Sequence, residues 1–292
     1  VLLQQLVNGL VVGSVYALFA VGYTLVFGVL DILNLAHAAI FMIAAFATYA
    51  LVTAGAPLWL AFIGGCLLAG MVGIALDRVA FAPLRKRNAG TLIPLISSIG
   101  VSIIIGAIAR GIWGIDERHF PIALGDAPPI HLGAITVTTV ELVTFGAALA
   151  LMLGLSYVLR ATALGRNIRA VAEDRVAAVL LGVDLEKTIA MTFFIASALG
   201  GAAGILTGLQ YNSVTVDMGA GIELKGLAVI ILGGMGSITG AVVGGFILGA
   251  VETLSVAYIS SNWRDAIAFG VMFLILVLRP RGLFGKRALR AA

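Results

Sequence analysis

The sequence predicts an all-α integral membrane protein, a polytopic helical bundle of about nine spans within a range of eight to ten. Three observations predict it. Of the 292 residues, 61% are hydrophobic and only 11% charged, against roughly half and a quarter in soluble domains. A soluble fold cannot cover that much apolar surface, whereas lipid solvates it. The apolar residues also fall in runs that approach the roughly 20 needed for a helix to cross a hydrocarbon core of about 30 Å. Finally, the runs lack the period-two alternation of a membrane barrel. Lipid gives free backbone groups no partner, so helices must do the crossing.

The runs cover 3–27, 35–54, 58–76, 92–112, 140–159, 188–210, 217–236, 238–259 and 265–279. The first lacks a basic stretch before it and a small-residue cleavage site after it, so it is read as a span and not as a signal peptide. The chain opens on Val1, and a few residues are expected to precede it. Cys66, the lone cysteine, lies in the third run and is read as a small buried hydrophobe.

Arg78, Arg85, Lys86 and Arg87 follow that third run. Arg160, Arg166, Arg169, Arg175 and Lys187 follow the fifth, and Arg279, Arg281, Lys286, Arg287 and Arg290 follow the last. Basic residues concentrate in cytoplasmic loops, so these three segments are predicted inside, the N-terminus outside and the C-terminus inside. The net charge of +4 is therefore a topology signal and not a nucleic-acid patch.

The loop from Trp113 to Thr139 carries Asp116, Glu117 and Asp126 against Arg118 and is predicted outside. Alternation of Ile130, Leu132, Ile135 and Val137 predicts a short extracytoplasmic hairpin there. The run 217–236 is the weakest, because Glu223 and Lys225 interrupt it. It must nevertheless cross, since a dip would leave the basic tail outside.

Glycines recur four apart at Gly9 and Gly13, at Gly200, Gly204 and Gly208, at Gly236, Gly240 and Gly244, and at Gly245 and Gly249. Such strips let helices approach closely, either as fixed packing or as sliding surfaces. The hairpin turning at Gly28–Asn34 into Ile40–Thr48 faintly resembles the one turning at Gly233–Gly240 into Phe246–Thr253.

Within the cytoplasmic segment at about 160–187, Ile168, Val171, Ala172, Val176, Val179 and Leu180 recur with helical period opposite Arg169, Glu173 and Asp174. The spacing predicts one amphipathic helix, ended at Gly182. Pattern alone leaves two readings: a helix lying on the membrane surface, or one docked into a cytoplasmic partner.

Resemblance separates them. The run Arg169-Ala-Val-Ala-Glu173-Asp174, continuing through Ala178 and Leu180-Leu181-Gly182-Val183, resembles the coupling loop of permeases in ATP-binding-cassette importers. More narrowly, the chain is similar to the branched-chain amino acid permeases. The supporting stretches are Gly13-Ser14-x-Tyr16-Ala17-Leu18, Gly22-Tyr23-Thr24, Asn34-Leu-Ala-His37, Ile231-Leu-Gly-Gly-Met-Gly-Ser237-Ile, and Arg279-Pro280-x-Gly282-Leu-Phe-Gly285. They cover nearly the whole chain in the family's order. The sequence departs from the family at Ala38, where glycine is usual, and at Thr239, where proline is common.

The resemblance implies one transmembrane permease domain over 1–292 in a bacterial inner membrane, surrounded by lipid. It implies import of leucine, isoleucine or valine, with a different small polar solute as the alternative within the class and a stand-alone secondary transporter as the alternative outside it. The implied partners are a second homologous permease subunit, two cytoplasmic ATPases that use ATP and Mg, and an extracytoplasmic substrate-binding protein. The implied ATPase-coupling helix comprises Ile168, Arg169, Val171, Glu173, Asp174, Val179, Leu181 and Gly182. No phosphate-cradling Gly-x-x-x-x-Gly-Lys-Ser/Thr loop occurs in the sequence, and no nucleophilic relay or metal cluster is evident, so neither an enzyme nor a cofactor site is expected.

Polar residues inside spans are the candidate substrate pathway. A charge at mid-membrane costs about 2.5–3.5 kcal/mol on insertion scales. Lys225 therefore snorkels outward, pairs with Glu223 or Glu252, or faces an aqueous path. Asn34 and His37 follow the helix break expected after Gly28, where they cap the next helix or line an inner gate. Tyr23, Thr24, Gln210 and Tyr211 complete the candidate set.

Overall fold

The computed structural model describes residues 2–87, 89–90, 92–121, 128–133 and 135–285. Of the residues singled out above, Val1, Asp126, Lys286, Arg287 and Arg290 lie outside these.

Every predicted run is a helix. In chain order these are α1 (Leu2–Leu30), α2 (His37–Thr53), and α3 (Leu58–Leu76) with a π turn at Asp77–Phe81 and the short α4 (Ala82–Lys86). α5 (Leu92–Trp113) follows, then the strands β1 (Ile130–Leu132) and β2 (Ile135–Val137), and α6 (Thr139–Ala161). Beyond them come α7 (Ala163–Glu173), α8 (Arg175–Leu180), α9 (Leu185–Tyr211), α10 (Met218–Gly233), α11 (Ile238–Tyr258) and α12 (Arg264–Leu278). Among the described residues, seven helices are long and apolar enough to cross a membrane, and α2 is a shorter apolar one. The strands pair antiparallel, Ile130 opposite Val137, as the alternation predicted.

α1 and α9 form the buried centre, while α5, α6 and α12 turn most of their surface outward. α2 and α3 pack on α9, and α11 packs along α1. Glycine makes that last contact possible. A Cβ added at Gly249 would stand 2.4 Å from the Gly13 backbone, and one at Gly245 would stand 2.4 Å from Ala17. Gly204 likewise brings α9 against the carbonyl of Phe41 on α2. Gly236 departs from the expected strip: its φ of +81° places it in the turn before α11, which only Gly240 and Gly244 continue into α10. The two hairpins that look alike in sequence pack differently. α10 and α11 lie against each other, whereas the α1 and α2 backbones stay apart, bridged by Phe19, Tyr23, His37 and Phe41.

The loops sort into two ends. At one end, Gln4 exchanges hydrogen bonds with the Thr136 backbone at 2.8 and 2.7 Å. There too Arg118 bridges Val214, and Arg110 pairs with Asp217 at 3.0 Å. At the opposite end, Arg85 reaches Glu186 at 3.5 Å and Arg175 donates to the Val29 carbonyl at 3.0 Å. The chain after α12 is hydrogen-bonded there to the end of α10, Leu283 to Leu232 at 2.8 Å and Phe284 to Gly233 at 2.9 Å. The three basic segments thus share one end, as far as their residues are described. α10, 16 residues long, begins near Arg110 through the Arg110–Asp217 pair and ends beside Phe284; it is not among the seven helices long and apolar enough to cross a membrane.

The amphipathic segment requires a correction. It is two helices, not one. Asp174 leaves the helical region (φ −153°, ψ 113°), and its carboxylate caps α8 by accepting from Val176 and Ala177. The break divides the expected apolar stripe. Ile168 and Val171 on α7 are buried against the bundle, whereas Val176, Val179, Leu180 and Leu181 point outward. Gly182, at φ +85°, ends the segment where predicted.

Candidate functional site

Two polar constellations lie inside the bundle, and α10 contributes to the first. The first is a charge cluster. The Lys225 ammonium on α10 meets the Glu252 carboxylate on α11 at 2.9 Å, with the two residues 7% and 3% exposed. Tyr16 on α1 donates its hydroxyl to both Glu252 oxygens, at 3.0 and 2.9 Å, and accepts from Lys225 at 3.2 Å. Arg264 and Asp265, at the start of α12, close the cluster: Arg264 lies 2.9 Å from Glu252, and Asp265 lies 3.2 Å from Lys225.

Buried charges survive only when paired and hydrogen-bonded, and each formal charge here has an opposite partner. The geometry resolves the alternatives for Lys225. It pairs with Glu252, neither snorkelling outward nor pairing with Glu223. What the cluster does mechanically is tie four helices, α1, α10, α11 and α12, through one carboxylate.

The second constellation is unsatisfied. On α1 the hydroxyls of Tyr23 and Thr24 are buried, and beside them both ring nitrogens of His37 and the Asn34 amide nitrogen are buried as well. Among the described residues none of these has a hydrogen-bond partner. His37 sits at the first turn of α2, its ring 4.8 Å from Phe19 and 5.5 Å from Tyr23. Gly22 and Gly200 leave the space this ring occupies, since a Cβ at Gly200 would stand 2.5 Å from its Nε2. Asn34 accepts from the Ala36 N–H at 3.2 Å, which organises the turn before α2, while the helix itself has no side-chain cap.

Glu223 faces a separate cavity of about 220 Å³ between α2, α5 and α10, with one carboxylate oxygen buried and unpartnered among the described residues. Gln210 and Tyr211 lie at the end of α9, half-buried and exposed respectively, with Tyr211 within electrostatic reach of Glu252 and Arg264. The structure therefore unites Lys225 with Glu252, and Tyr23 with His37, and leaves Gln210 outside both groups.

Several participants are absent from the sequence reading of the site. Arg264 and Asp265 precede the last run, where they read as an ordinary span boundary. Tyr16 belongs to a recognised motif but bears no charge to mark it. Asp77 is 1% exposed and is held by Arg85 across two turns of helix. An acidic residue directly after an apolar run, followed by arginine eight residues on, was the available signal.

Residues 5–276 match the family described as the branched-chain amino acid transport system permease component. The chain is similar to the high-affinity branched-chain amino acid transport system permease protein LivH of Salmonella typhimurium, at 35% identity over 97% of this chain and 96% of that protein. It is equally similar to the corresponding permease protein BraD of Pseudomonas aeruginosa, with 35% identity and the same coverage. The autoinducer 2 import system permease protein LsrC of Klebsiella pneumoniae is 35% identical over 46% of this chain and 41% of its own length.

Proposed function

The chain belongs to the branched-chain amino acid transport permease family, and from that premise we propose that it is the membrane subunit of an ATP-driven importer of leucine, isoleucine and valine. The carrying observation is likeness along almost the whole length to permeases named for that transport, where the likeness to autoinducer 2 permeases covers about half of the chain. The subunit is a single permease domain that performs no chemistry. It works with a second homologous permease, two cytoplasmic ATPases that consume ATP with Mg, and an extracytoplasmic binding protein.

The end bearing Arg85, Arg175 and Arg281 faces the cytoplasm and the end bearing Gln4 faces outward, in keeping with the positive-inside rule. α7 and α8 are the coupling element. Ile168 and Val171 anchor it to the bundle. Leu180 and Leu181, each 83% exposed, present an apolar knob to an ATPase, and Glu173 with Arg169 orients the rim. A push on this element reaches α1 directly through Arg175 and the Val29 carbonyl.

Reconstitution tests the whole reading. Proteoliposomes carrying the complex, given the binding protein and ATP, are expected to accumulate leucine, isoleucine or valine. Uptake of a sugar or urea and of none of these amino acids refutes it. Leu180→Glu and Leu181→Glu tests the coupling element: the permease should insert normally while its ATPases no longer co-purify, and retention of full ATPase-driven uptake removes the assignment.

A further inference from the structure

Resting on that transport reading, we propose that the cavity between α2, α5 and α10 is a subsite for a zwitterionic aliphatic amino acid within the permease itself. A buried acceptor without a partner is rare in a folded protein and requires a reason. Glu223 is such a group, and it lines a cavity that also carries Arg110, whose guanidinium spends one contact on Asp217 at 3.0 Å and has further N–H donors available. An α-amino acid presents an ammonium and a carboxylate a few ångströms apart. Glu223 takes the ammonium and Arg110 the carboxylate, each by a charge-assisted hydrogen bond.

The remaining walls suit an aliphatic side chain. Met42 and Ile103 are apolar, and small residues at Ala39, Gly106 and Ala220 keep the space open. At about 220 Å³ the cavity is below the roughly 300–1,000 Å³ of sites for drug-sized molecules, which suits a free amino acid. The Lys225 cluster offers no comparable site, because the Glu252 oxygens and the Lys225 ammonium are already bonded to protein.

Gly106 allows a test independent of the binding protein. A side chain built there meets nothing within 4 Å, so Gly106→Cys in a Cys66→Ser background places a thiol at the cavity wall without a clash. Leucine at about ten times its dissociation constant is expected to slow its alkylation in the purified complex about tenfold, as occupancy by mass action requires. Leucinamide and 4-methylpentanoate, each lacking one charge of the zwitterion, should protect far less, and adding Glu223→Gln should abolish protection by leucine. Leucine that leaves the rate unchanged, or that protects equally with Glu223→Gln, overturns the subsite. The wild-type complex is assayed for uptake in parallel. Leucine uptake without protection overturns the subsite alone, and absence of both overturns the transport reading as well.

Discussion

Glu223 and Lys225 stand two residues apart on α10, about 200° around the helix from each other, and their surroundings are opposite. Lys225 points into the junction of α1, α11 and α12, where Glu252, Tyr16 and Asp265 all lie within 3.2 Å of its ammonium. Glu223 points toward α2 and α5, into open space, with a buried oxygen that no described group satisfies. The difference separates two reasons for keeping charge inside a membrane protein. A charge saturated by protein partners fixes the arrangement of helices, whereas one left unsaturated is available to something that arrives.

The sharpest way to break this comparison is Glu252→Ala. It strands Lys225 and removes the acceptor of Tyr16 and Arg264, and breaking a buried pair from one side costs about 3–5 kcal/mol. Unfolding in mixed micelles should register that loss, and a variant as stable as wild type would show that the cluster holds nothing together. Tyr16→Phe should cost less, about 1.5–3 kcal/mol, the range for a hydrogen bond to a charged group. Replacing the pair together, Lys225→Met with Glu252→Leu, should restore stability to within about 1 kcal/mol of wild type, since apolar residues of similar volume often substitute for a buried pair. If the double variant is as unstable as Glu252→Ala, Arg264 and Asp265 carry more of the cluster than the pair does.

The smallest expected effect lies on the other face. Glu223→Gln should change stability by no more than about 0.5 kcal/mol, as for residues outside any bonded network, while lowering leucine uptake. A large loss of stability there would mean that Glu223 has a structural partner, and the distinction between the two faces would fail.

Much of the architecture was legible because a bilayer demands the same thing of every span, namely length, apolar character and internally satisfied backbone. Those demands are local, so all nine runs and the hairpin at Ile130–Val137 were readable. The positions of arginine and lysine also carried the sorting of loops into two ends. That Lys225 needs an acidic partner was readable from the cost of an isolated charge, and the structure supplies Glu252. The break at Asp174 was readable too, as an N-cap residue ahead of a second apolar turn, but helical periodicity carried across it concealed the break and assigned Ile168 and Val171 to a partner's groove instead of to the bundle.

What composition and periodicity determined, then, is a polytopic helical membrane protein, charge placement gathered its basic loops at one end, and the family motifs added a permease. Only the tertiary structure decided which charges satisfy one another. Tyr16 and Glu252 are 236 residues apart in sequence, and their meeting depends on α1 lying against α11 across glycines that permit backbone approach. A charge inside a span announces that it needs a partner, but the choice among candidates is made by helix rotation and crossing geometry, which no local pattern encodes. For the same reason Arg110 and Glu223, unremarkable as a pair in sequence, share one cavity only because α5 and α10 both border it.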